Sequence, residues 1–259
     1  MASTPITEFS VSPTYYTGFK YTWNVNTTLS DPLPWIFTIE QSETPYEKFG
    51  AISPGLVNLY QYQEITRRMI SKDGVLHFRL KMVTPVATYY SEVIDPHAQL
   101  SKSDFLIVRK IMHDEYIGQR NMVGVTVDYW VRSSFGPVCT CVDPITKDVL
   151  NSDCPLCYGV GRQPGYHGPY TTWCTFSPVQ KQKGLADDNS GPASNYAITG
   201  RLTAVSELKK DDVIVDKTNG RCYYIDAISN VAELRRIPIA QNVVLKQIPT
   251  SSPIYKLAI

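Results

Sequence analysis

Four cysteines fall at the spacing Cys139-x-Cys141, twelve intervening residues, then Cys154-x-x-Cys157. Thiolates are ligands for borderline and soft metal ions, and two on a tight turn can share one tetrahedral ion at about 2.3 Å. The second pair runs on as Cys154-Pro155-Leu156-Cys157-Tyr158-Gly159-Val160-Gly161. Glycine just after the second cysteine admits positive φ and a close backbone approach. The pattern nominates Cys139, Cys141, Cys154 and Cys157 as ligands of a structural zinc ion. Because C-x-C is a less common zinc spacing than C-x2-4-C, disulfides and free thiols stay open as alternatives. His167 and Cys174 lie near enough in sequence to substitute as a ligand. Cys222, inside a strand pattern, reads as a small buried hydrophobe.

Other chemistry is thinly represented. The four histidines, His77, His97, His113 and His167, stand in no local signature with a Ser or Cys nucleophile. Asp187-Asp188 and Asp211-Asp212 read as solvated turn residues. No P-loop, G-x-G-x-x-G, H-E-x-x-H or G-x-S-x-G occurs. The Asn26-Thr27-Thr28 sequon has no signal peptide ahead of it, so no glycan is expected there. The residues therefore point to a protein that is not an enzyme, with no cofactor beyond the zinc. A net charge of +1 offers no bulk attraction for nucleic acid or an anionic membrane. The basic pairs Lys209-Lys210 and Arg235-Arg236 fit a solvated strand face or a subunit ion pair. No run is apolar enough to cross a membrane, and synthesis in the cytoplasm is the expectation.

The elements that must carry these residues are mostly strands. The 259 residues include 17 Tyr, 18 Pro and 15 Gly, with 19% charged residues against the roughly 25% usual in soluble domains. Such usage favours strands and turns over a helical bundle. Phe19, Tyr21, Trp23 and Val25 alternate with polar residues, as do Phe78, Leu80 and Met82. With Trp35–Ile39 and Thr88–Val93, they predict a β-sandwich over 1–95, Leu56–Ile70 being ambiguous between strand and helix. A connecting helix and strand fill 96–130. Ser101 and Asp104 form its capping box, Leu100 and Phe105 its staple, and Gly118 its stop. The helix carries apolar residues on several faces, so burial between modules or subunits is expected. Periodicity then lapses over 131–197, a Cys-rich loop region with the polar run Leu185–Pro192. A small β-barrel is predicted over 198–259, with an Asn219-Gly220 hairpin between Asp212–Asp216 and Arg221–Ile225, and further strands at Leu234–Ile239 and Val243–Ile248.

Three stretches resemble the neck, or head-to-tail connector, proteins of tailed bacteriophages. They are Trp130–Pro137 running into the cysteines, Cys154–Gly161 leading to Gly165–Tyr170, and the C-terminal strands ending in Ile248–Leu257. The strands around Trp23, Trp35 and Tyr89-Tyr90 resemble a fibronectin- or immunoglobulin-like module. The C-x-x-C-x-G-x-G knuckle is similar to one repeat of zinc-binding chaperone domains. That family has several copies where this chain has one, so chaperone activity is not implied. The connector resemblance implies a virion protein at the neck. It would form a homo-oligomeric ring, meet portal or adaptor and tail proteins, and leave a channel through which DNA passes without sequence-specific binding. A rival reading is a tail or baseplate appendage that binds host carbohydrate through exposed Trp and Tyr faces. A third is a zinc-dependent nucleic-acid-processing factor, for which the basic patch is missing.

Overall fold

Alternating aromatic and polar residues along β2 (Gly18–Val25) build the first core. Phe19, Tyr21, Trp23 and Val25 are buried and Lys20, Thr22 and Asn24 half-buried, the two-residue period of a strand with one face covered. In this computed structural model, residues 4–14, 18–26, 29–46, 48–64, 76–95, 102–178, 198–203, 208–234 and 237–257 are described. The capping box and staple at 100–105, the polar run 185–192, His97, the sequon's Thr27-Thr28 and Arg235-Arg236 fall wholly or partly outside these residues.

The chain is mainly β. β1 (Ile6–Thr14), β2 and β6 (Gln61–Gln63) form one antiparallel sheet. The second is ordered β4 (Gly50–Ala51), β3 (Ile36–Ser42), β7 (His77–Val83), β8 (Thr88–Tyr90), with β5 (Leu56–Val57) on the other end of β3. Between them Trp23, Phe37, Ile39, Tyr60, Phe78, Leu80 and Met82 make a core in which the rings of Trp23, Phe37 and Tyr60 meet at tilted angles. This is the β-sandwich. Of the ambiguous stretch 56–70, the described part is strand at β5 and β6. On the outer surface Arg79 pairs with Glu40 at 2.7 Å and lies between the rings of Phe49 and Tyr90, an arrangement that locks that face.

The helix α1 (Lys102–Gly118) does not stop at Gly118. It runs on through a π-helical turn, Gln119–Val123, and ends at Gly124. A Cβ at Gly124 would sit 2.5 Å from the Gln119 carbonyl oxygen, so the chain can turn there only without a side chain. Val108 and Met112 are buried, whereas Leu106, Ile107 and Ile111 are exposed. In the single chain the helix therefore buries one stripe and leaves another open.

The barrel is closed, in the order β10 (Tyr166–Pro178), β11 (Ile198–Thr203), β14 (Ile237–Gln247), β13 (Arg221–Leu234), β12 (Val213–Asp216), β9 (Val125–Arg132). It takes two strands from outside 198–259, and β10 lies within the stretch expected to be loop. There Cys174 and Phe176 belong to the barrel core and Thr172 is buried, but Thr and Cys do not register as an apolar period. Each strand contributes to the core, with Val127, Tyr129 and Val131 from β9. The Asn219-Gly220 turn joins β12 to β13 as expected, Gly220 taking φ +68°. The two segments expected at 234–239 and 243–248 are instead the end of β13 and one strand, β14.

Residues 1–106 and 133–167 form one compact unit; 107–132 and 168–259 form the other. Within the first, Phe135 packs on the sandwich core, and a Cβ on Gly136 would sit 3.0 Å from the Tyr60 ring. The Cys-rich segment is thus docked on the sandwich, although they are far apart in sequence.

In the barrel unit, Asp212 is wholly buried, and its two oxygens accept from the backbone N–H groups of Arg132 and Lys209, each at 2.7 Å. Asp212→Ala strands both donors in the interior and should cost about 3 kcal/mol. Asp212→Asn should also destabilise, because its NH2 must face one of those donors. Urea unfolding of each variant beside the wild type reads the effect; a loss below about 1 kcal/mol for the alanine variant would count against this role.

Candidate metal centre

Two short limbs bring the four cysteines together. Val138 bridges Arg162, Val142 bridges Val149, and Cys139 N–H donates to the Gly161 carbonyl at 2.9 Å. The chain then folds back so that Leu150 N–H donates to the Cys141 carbonyl at 2.9 Å. The knuckle closes where Tyr158 N–H reaches Cys154 O at 2.8 Å and Val160 N–H reaches Cys157 O at 2.9 Å. Tyr158 and Gly159 both have positive φ, +52° and +79°. A Cβ on Gly159 would also press to 2.8 Å from the Ser152 carbonyl oxygen, so glycine is needed on both counts.

The four sulfurs all lie within 4.8 Å of one another. Cys139 and Cys154 are 3.7 Å apart and Cys141 and Cys157 3.3 Å apart. The tetrahedral corners around an ion at about 2.3 Å are roughly 3.8 Å apart, whereas a disulfide holds its sulfurs at about 2.05 Å. All six cysteines are free thiols. The cluster could hold a metal ion and contains no disulfide.

Its surroundings move the thiols in different directions. Cys139, Cys154 and Cys157 are buried and Cys141 is half-exposed. Burial raises the Cys139 thiol, but the Cys141 N–H, the Gln163 amide and the neighbouring thiols outweigh it and bring it down to about 6. Burial pushes Cys157 up, against hydrogen bonds from the Gly161 and Gly159 N–H groups. Cys141 is raised by burial and by its neighbours' sulfurs.

The two reserve ligands are elsewhere. His167 Nε2 is 3.2 Å from Ser133 Oγ. That hydroxyl donates to the Phe135 carbonyl at 2.6 Å, so Nε2 is the donor and Nδ1 the bare nitrogen. Cys174 is in the barrel core, its thiol pushed up by burial to about 12. Cys222 is fully buried in β13, as a small hydrophobe would be, at about 11 for the same reason. Sequence reasoning missed Gln163, whose Nε2 donates to Cys139 Sγ at 3.4 Å. A glutamine two residues past the knuckle carries no signal in sequence.

No protein-family model matches the chain, and no curated protein matches it in sequence. Among solved structures it is similar to one described as titin kinase and its flanking domains, at 10% identity and a TM-score of 0.29, covering 95% of this chain and 37% of that one. No helix among the described residues is long and apolar enough to cross a membrane.

Cys157→Ser should lower metal binding and raise hydrogen exchange across 133–165. Because Phe135 and Gly136 rest on the sandwich, the extra exchange should reach Tyr60 and leave the barrel strands unchanged. Equal loosening of both units would contradict this. A second expectation concerns acid. Burial, helped by the Lys20 charge, lowers the His167 pKa to about 4. Unfolded, the same group titrates near 6.5, so between those values the unfolded chain binds the extra proton. Stability should therefore fall as the pH drops from about 6.5 to 4, by roughly 3 kcal/mol in all. Comparing wild type with His167→Gln at both ends isolates the contribution, since the variant's acid loss should be smaller by that amount.

Proposed function

We propose that this protein is a non-enzymatic ring subunit of a phage neck, joining the head portal to the tail around a DNA channel, with its Cys-rich segment held by zinc. The sequence resemblance suggests the reading, and one structural observation carries it. In the barrel unit, Ile107, Ile111, Met122 and Val123 are all exposed, Met122 at 82% and Val123 at 63%. Ile111, Met122 and Val123 line a groove of ≈660 Å³ whose other walls hold Asp114 and the Glu115–Arg201 ion pair. Exposed apolar residues grouped in this way mark a surface that a partner covers. In a closed ring that partner is the next subunit, which presents a different patch. The work of such a part is mechanical: it adapts one ring's surface to the next.

Zinc fits the four-thiolate set because it accepts tetrahedral sulfur ligands and has no redox chemistry of its own. A single ion would replace the apolar core that residues 139–157 lack. The carbohydrate-binding reading needs exposed Trp or Tyr faces, and Tyr46 and Tyr90 are exposed. Trp23 and Trp35 are core residues, and Trp130 and Trp173 are half-buried.

Native mass spectrometry and negative-stain images of the purified protein should show closed rings, and Met122→Glu with Ile111→Asp should disperse them with little change in melting temperature. Elemental analysis should find about one zinc per chain. A stable monomer or trimer with glycan affinity would overturn the connector reading.

A further inference from the structure

We propose that Gln163 is a positioning residue of the four-cysteine centre, donating from its side chain to the metal-bound sulfur of Cys139; this rests on the metal reading above. Its backbone is held first. Gln163 N–H donates to the Pro137 carbonyl at 3.0 Å, next to the Val138–Arg162 bridge. The Gln163 carbonyl oxygen also closes on Gly136, where a Cβ would approach it to 2.3 Å. From that fixed base the side chain reaches across to Cys139 Sγ at 3.4 Å. Cys139 is buried, so solvent does not supply this hydrogen bond.

The direction of the bond follows from charge. Four thiolates around a divalent ion leave a centre with two excess negative charges, and each sulfur is then a strong acceptor and no donor. An amide must turn its NH2 towards such a sulfur and its oxygen away. Gln163 adds a donor that substitution can remove without rebuilding the knuckle. The same residue ties the centre to Pro137 and Gly136, and so to the segment that rests on Tyr60. Outer-shell partners of this kind commonly contribute 10- to 100-fold to metal affinity.

Four full-length proteins test the role: wild type, Gln163→Met, Gln163→Glu and Gln163→Lys. Cobalt(II) is the probe, its affinity read by competition with a chelator and its thiolate charge-transfer band by absorption. Gln and Glu are the same size, and Met and Lys are both unbranched, so a packing role would not sort them by charge. Donation sorts them otherwise. Gln163→Met should weaken binding by about 10- to 100-fold and shift the band to longer wavelength, Gln163→Glu should lose at least as much, and Gln163→Lys should stay within about threefold of wild type. Equal losses in the Met and Lys variants, or affinities and bands unchanged across all four, overturn the role of Gln163 while leaving the metal reading standing. A wild type that binds no cobalt and shows no charge-transfer band overturns both.

Discussion

Residues 133–167 are arranged around four cysteine sulfurs that all lie within 4.8 Å of one another, a set that as thiolates would repel unless a cation sat among them. Residues 139–157 have little apolar core of their own: their buried cluster is Cys139, Cys154 and Cys157, with Cys141 and Val142 beside them. Ile145, Leu150 and Leu156 point to solvent. Short backbone bridges and glycine turns bring the sulfurs together, and main-chain and amide N–H groups face them. At one end of the segment Phe135 transmits the order of this centre to the sandwich.

The two larger cores are stabilised differently. The sandwich relies on aromatic area, with Trp23, Phe37, Tyr60 and Phe78 all fully or almost fully buried. The barrel relies on closure, since six strands joined edge to edge leave few unpaired backbone groups. Polar side chains complete it. Gln119 Oε1 accepts from the Thr203 hydroxyl at 3.0 Å and from its N–H at 3.2 Å, which fastens the end of the helix to β11. The helix is thereby built into the barrel unit by one stripe, while the adjoining Ile107 and Ile111 are exposed.

Much of this was legible residue by residue. The alternation in β2 and β7 named the buried side chains of the sandwich correctly, because one covered face imposes a strict period of two. The Asn219-Gly220 turn and the C-x-x-C-x-G-x-G knuckle were legible for a similar reason: positive φ at fixed positions demands particular residues. β10 was hidden, because Thr172 and Cys174 fill its inward positions and Gly168-Pro169 interrupt it. The end of the helix was misplaced at Gly118, since a glycine in sequence does not reveal that the close approach requiring it occurs at Gly124. Gln163 was invisible, because its role depends on a partner 24 residues away.

By itself the sequence determined what local chemistry can determine: a mainly β chain, the sandwich strands, the turns, and four cysteines at metal-binding spacing. Periodicity and turn geometry act over a few residues, and so they are written in consecutive letters. Only the tertiary structure decided that β9 and β10 close the barrel, that the Cys-rich segment rests on the sandwich, and which sulfurs are neighbours. Those outcomes depend on contacts between distant residues. Strand pairing across long loops is chosen by the burial and hydrogen bonding of the whole unit, which no short window of sequence contains.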